Sequence, residues 1–257
     1  MKEFISSQFI PPMKTSKTNA FTFLEALVVI FLVAVLVVLA LPTSGHVQIK
    51  GRQTQALSNV KQIVLACRLF ASDNNGDYPT NQLDPKTLQP SKTLGPVTDY
   101  SNTAFAQLFP DYLTNETIFA EQGSAFTPNM PDNMIDVPLA ATPVQTLKAG
   151  ENTFAYCLGL KDTSNARFPL VADGFADLGH WTYAKDKTAK GGIWEGKRAV
   201  VGLVDGSASI QRVDSSTMTV MGNPVSATSS YFSTAAGAAG NGEQWLASPK
   251  NKWLNPR

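Results

Sequence analysis

Cysteine and histidine are scarce, with two of each in 257 residues. Cys67 and Cys157 are too few for a disulfide framework, and neither has a partner at the spacing of a zinc site. The pair is open to two readings. One is a single disulfide formed in an oxidising compartment. The other is two buried free thiols, because Cys67 falls on the apolar stripe of an expected helix and Cys157 in a strand-like run. Charge is thin as well, at 16% of residues with a net of +1. Nucleic-acid binding needs clustered Lys and Arg to neutralise phosphates, so no nucleic acid is expected as a partner. A long acidic or basic tail is also missing.

Catalytic signatures are missing too. No serine sits in a G-x-S-x-G elbow, and no glycine-rich phosphate loop is present. Asp173, Asp177 and His180 lie close together in ADGFADLGHW. They fit a solvated loop between strands or a metal-binding loop. The chain is expected not to be an enzyme.

What the chain has in quantity is one apolar block. Residues 21–41, FTFLEALVVIFLVAVLVVLAL, contain a single charge, Glu25. At about 1.5 Å per residue this run reaches roughly 31 Å, the thickness of a hydrocarbon core. A transmembrane helix over 21–41 is the expectation. A secretory signal peptide fits poorly, because the block is too long and its small residue, Ala20, precedes it. Glu25 is harder to place. A carboxylate inside a span costs about 2.5–3.5 kcal/mol on insertion scales, so it reads as functional. Lys2, Lys14 and Lys17 against Glu3 make residues 1–20 basic, which favours a cytoplasmic leader. Translation from Met1 and from Met13 are both open.

The stretch Lys17-Thr18-Asn19-Ala20-Phe21-Thr22-Phe23-Leu24-Glu25 resembles the prepilin processing site of type IV pilins and type II secretion pseudopilins. The resemblance implies cleavage by a prepilin peptidase between Ala20 and Phe21, N-methylation of Phe21, and an assembly role for Glu25. Ala20 stands where the family usually has Gly. Pro42 matches a proline habitual just after the span. A buried carboxylate in a filament is tolerable if paired, and the N-terminal amine of Phe21 on a neighbouring subunit would be its partner.

Beyond Pro42 the sequence predicts an amphipathic continuation of the helix over 42–73. Ala56, Leu57, Val60, Ile63, Val64, Cys67, Phe70 and Ala71 follow the i, i+3, i+4 spacing. Asn74, Asn75, Gly76 and Pro79 end it. Asp73, Asn75 and Asp77 place oxygen ligands two residues apart, and so admit calcium as well as a plain helix-ending turn. Gly76 is out of step with the EF-hand pattern. The phrase FASDNNGDYP and the segment Leu108–Phe119 resemble pilin-like proteins of planctomycetes and verrucomicrobia. Where that type carries a Cys, this chain has Ala120-Glu121-Gln122. Where it has a His, nine further residues and then Asp-Gly, this chain has Glu195, nine residues and Asp205-Gly206.

Residues 74–257 are expected to form one periplasmic or extracellular pilin-like domain. A short helix is predicted over Thr103–Leu113 and strands over Thr153–Leu160 and Phe168–Ala172. A hairpin is predicted from Arg198–Val204 through Asp205-Gly206 to Ser207–Val213. Residues 226–242, rich in Ser, Ala and Gly, read as a flexible loop. Trp245 and Trp253 read as aromatic anchors for the same domain.

The fold expected is thus α+β. A long N-terminal helix, with a transmembrane half and an amphipathic half, packs on a small antiparallel β-sheet with long loops. The function that follows from the resemblance is that of a structural subunit of a type II secretion pseudopilus or type IV pilus-like filament, assembled by helix packing. The implied partners are the prepilin peptidase, other pilin-like subunits, an assembly ATPase with its platform protein, and the inner membrane. The implied location is single-pass in a bacterial inner membrane. No cofactor is expected apart from the calcium reading above. The rival is a single-span membrane-anchored protein with a ligand-binding or hydrolytic exterior domain.

Overall fold

In the computed structural model of this chain the described residues are 21–40, 44–81, 99–136, 145–223, 226–233, 246 and 251–257. The leader 1–20, including Ala20, and both Pro42 and Trp245 lie outside them. The chain divides into two compact units, Met1–Gln48 and Ile49–Arg257.

In the first unit the apolar block forms helix α1, Phe23–Ala40. Its start is fixed by a reciprocal capping box. The Thr22 N–H and hydroxyl both donate to Glu25 Oε2 at 3.0 Å, and the Glu25 N–H donates to Thr22 Oγ1 at 3.2 Å. Apolar side chains surround the helix. The consecutive residues Phe31, Leu32 and Val33 are 64%, 55% and 53% exposed, and they point about 100° apart.

The transmembrane expectation is corrected here. Helix α1 has 18 residues, which at about 1.5 Å each reach roughly 27 Å, short of a hydrocarbon core of about 30 Å. Helix α2, Ser44–Asp73, has 30 residues, but it alternates apolar and polar positions. Among the described residues no helix is long and apolar enough to cross a membrane. The long helix is not apolar and the apolar helix is not long. The expected α+β fold led by one long helix with a transmembrane half is therefore withdrawn, and the single-pass inner-membrane location goes with it.

The second unit is built on a five-stranded antiparallel sheet in the order β4-β3-β2-β1-β7. Its strands are β1 Phe154–Leu158, β2 Pro169–Asp173, β3 Arg198–Leu203, β4 Ala208–Arg212 and β7 Lys252–Leu254. In the ladders Ala155 faces Ala172, Ala172 faces Val201, and Cys157 faces Trp253. The β3–β4 hairpin turns at Asp205-Gly206, where the sequence places it. Strands β1 and β2 and the middle of β3 are buried almost throughout, because the sheet is covered by other parts of the same unit.

The buried stripe of α2, comprising Ala56, Val60, Ile63, Val64, Cys67, Phe70 and Ala71, follows the helical period of the sequence. Gly202 of β3 lets the helix come close. A Cβ there would lie 2.6 Å from both Val60 Cγ1 and Val64 Cγ2. Arg68 ties α2 to the hairpin by donating to the Asp205 carbonyl. Both cysteines are buried and free, and burial pushes both thiols far above their ordinary range.

The short helix expected over Thr103–Leu113 is α3, Ser101–Ala106. Turns replace its second half, where Pro110 lacks the N–H that a helix requires. The segment expected to be a loop from residue 226 begins with strand β6, Ser226–Ser230, which pairs with β5, Met221–Asn223. Phe232, just after it, is fully buried in an aromatic cluster with Phe175 and Trp253, at centroid distances of 5.0 and 5.3 Å. Trp253 Nε1 donates to the Phe232 carbonyl at 2.9 Å, so this tryptophan anchors the C-terminus within its own domain.

Candidate functional site

Of the residues the sequence marks for processing and assembly, Phe21 is 72% exposed. Glu25 is exposed at the first turn of α1 with Thr22 as its partner. An acid at this position satisfies a free N–H at the helix start as well as carrying charge. The spacing T-x-x-E was available in the sequence.

At the end of α2, two of the three residues of the calcium reading, Asp73 and Asp77, make contacts within the protein. Asp73 Oδ2 accepts from the Tyr112 hydroxyl at 2.8 Å, and Asp77 pairs with Lys161 Nζ at 2.9 Å. Asn75 and Gly76 have φ of +55° and +80°. The Gly76 N–H closes on the Ala71 carbonyl at 2.8 Å. This is a helix-terminating turn of left-handed residues.

The ADGFADLGHW group separates. Asp177 and His180 form an exposed pair at 2.6 Å. Asp173 is buried at the end of β2, where its Oδ2 accepts from Trp194 Nε1 at 2.8 Å and from the Val200 N–H at 2.7 Å. Glu195 is exposed and paired with Lys197.

A cavity of about 470 Å³ opens between α2 and the loop after the 3-10 turn Glu116–Phe119. Arg52, Asn59, Glu121, Gln122, Met130 and Trp194 are among its walls. That volume lies in the range of small-molecule sites. Glu121 is 6% exposed, and among the described residues neither of its carboxylate oxygens has a hydrogen-bond partner. Burial, then the charge of Asp173, push its pKa well up, with Arg52 acting the other way. Asp173 is raised to about 7 by burial, and its Oδ1 is likewise without a partner. Sequence reasoning passed over Glu121, because a single acid among Phe119, Ala120 and Gln122 carries no motif.

Comparison with protein-family models, curated proteins and solved structures returns no match for this chain. The pseudopilin resemblance of the N-terminal motif thus finds no matching relative, and among the described residues no helix is long and apolar enough to cross a membrane.

Proposed function

We propose that this chain is the structural subunit of a pilus-like filament, in which α1 of each copy packs against α1 of its neighbours. The observation that carries this reading is the exposed apolar surface on all sides of α1 over residues 23–38. A helix that is hydrophobic all round has to be covered. Neighbouring copies of the same helix would cover it on every side. In this reading a prepilin peptidase removes residues 1–20 between Ala20 and Phe21. An assembly ATPase with its platform protein adds subunits. Glu25 meets the new amine of Phe21 on the adjacent copy, as a pair that a dry interface tolerates.

The test uses the full chain expressed with and without a prepilin peptidase. Intact mass should show loss of residues 1–20 and a methylated Phe21 only when the peptidase is present. Glu25→Gln separates the two roles of the acid. Glutamine still completes a capping box, so α1 should keep its helicity, whereas filament yield should fall at least about tenfold, the loss expected from a mispaired buried charge. Unprocessed chain in the presence of the peptidase would sink the reading. Normal filaments from Glu25→Gln would remove the charge pairing.

The cavity beside Glu121 favours a second reading, a ligand-binding domain. Its polar walls around an unpartnered buried acid are the arrangement expected of a small-molecule site.

A further inference from the structure

We infer that Glu116, Asp132 and Glu151 form a binding site for a divalent cation of the calcium type. The three residues come from separate segments. Glu116 opens the 3-10 turn capped by Asn115, Asp132 lies in the extended stretch after Met130, and Glu151 lies shortly before β1. One carboxylate oxygen from each lies within 4.8 Å of the others. Oxygens sharing a calcium ion at about 2.3–2.6 Å are separated by up to about 5 Å.

Backbone amides hold all three carboxylates. The Leu147 N–H donates to Glu116 Oε1 at 2.7 Å, the Met134 N–H to Asp132 Oδ1 at 3.0 Å, and the Lys148 N–H to Glu151 Oε2 at 3.0 Å. Amide contacts of this kind orient ligands in metal sites. Glu151 Oε1 also accepts from the Asp132 N–H at 3.3 Å and Asp132 Oδ2 from Lys148, so among the described residues Glu116 Oε2 is the one oxygen of the three carboxylates without a donor.

A separate observation points to a ligand. Glu116 is 0% exposed, and its Oε2 is buried with no hydrogen-bond partner among the described residues. A buried carboxylate oxygen with no donor is costly. The local cation acts on it only through space, without a hydrogen bond. Lys148 Nζ reaches Asp132 and lies 3.6 Å from Glu151 Oε1, and neither contact involves Glu116. One ammonium faces three acids. The Lys148 side chain is 42% exposed, so it is free to swing outward when a stronger cation arrives. The donor set is all oxygen, with neither His nor Cys, which selects a hard cation. Calcium accepts irregular carboxylate arrangements, while magnesium demands near-octahedral geometry.

The test is calorimetric titration of the full chain with calcium chloride, with magnesium chloride as comparator. One calcium ion should bind per chain, at least about tenfold tighter than magnesium. Glu116→Gln keeps the acceptor for the Leu147 N–H and should weaken calcium at least about tenfold. Should that variant misfold, Asp132→Asn at the exposed edge should weaken it likewise. Lys148→Met should strengthen calcium binding, because its ammonium competes for the same oxygens. Asp73→Asn, at the end of α2, should leave it unchanged. The inference is overturned by any of four results: no heat at millimolar calcium, equal affinity for magnesium, binding unaffected by both acid variants, or a Lys148→Met protein that is destabilised and unresponsive to calcium.

Discussion

Asp173 joins three parts of the domain through one side chain. Its Oδ2 takes a hydrogen bond from Trp194 and another from Val200 on β3, while Oδ1 takes none. A buried acid with only part of its acceptor capacity used is sensitive to the loss of one more donor. Trp194→Phe keeps most of the aromatic volume and removes the indole N–H. It should destabilise the domain by about 1–3 kcal/mol. Asp173→Asn, which loses the charge and keeps an acceptor, should cost less. Urea unfolding of the two variants checks the order, and a Trp194→Phe protein as stable as the parent would show that the indole bond is not what holds Asp173. The sequence gives no hint of this role. Asp173-Gly174 follows an apolar strand, and the same dipeptide signals a turn at Asp205-Gly206, where the aspartate does serve its turn by accepting from the Ser207 N–H at 2.8 Å. Local pattern does not separate the two, because the difference lies in residues 21 and 27 positions downstream that pack over Asp173.

At the scale of elements, α2 comes close to β3 at Gly202. An added methyl group there would sit within contact distance of Val60 and Val64, which are both fully buried. Neither valine has a free direction in which to retreat, so Gly202→Ala should destabilise by about 1–3 kcal/mol, the range for overpacked cores. Pairing it with Val64→Ala should recover part of that loss, a coupling that a double-mutant cycle in urea reads directly. Independent costs would argue that the helix and strand do not meet at these atoms. The elements themselves were legible. The stripe on α2, both sides of the β3–β4 hairpin, and strands β1 and β2 follow from periodicity and turn residues, signals that operate within a few residues. The extent of α1 was not legible. An apolar run tells where a helix is favoured, but its last turn depends on groups beyond the run. The expected span over 21–41 thus gives way to a helix ending at Ala40. The two candidate sites were not legible either, since Glu116, Glu121, Asp132 and Glu151 are single acids scattered over loops. They are assembled only by tertiary contacts.

For the whole molecule, these acids set a direction for stability against pH. Burial raises Glu116 to about 7 and Asp173 to about 7, and lifts Glu121 well above its ordinary value. In the unfolded chain the same groups titrate near about 4. Between those limits the folded protein holds more protons than the unfolded one, so stability falls as pH rises through the window from about 4 to about 7. Exposed acids with depressed values, such as Asp177, Asp186 and Asp214, act in the opposite sense. Their window lies below the unfolded value, near about 4 and under, so the two groups do not cancel across neutral pH. The urea midpoint of the full chain should therefore be higher at pH 5 than at pH 7.5. Glu121→Gln with Asp173→Asn should flatten most of that slope, because neither amide ionises. Calcium at pH 7.5 should recover part of the loss in the parent by favouring ionised Glu116, and should recover less in Glu116→Gln at the same calcium concentration. A midpoint that stays level or climbs from pH 5 to pH 7.5 would mean that these carboxyls are charged and compensated in the fold. The cavity beside Arg52 would then be the place to look for the compensating groups.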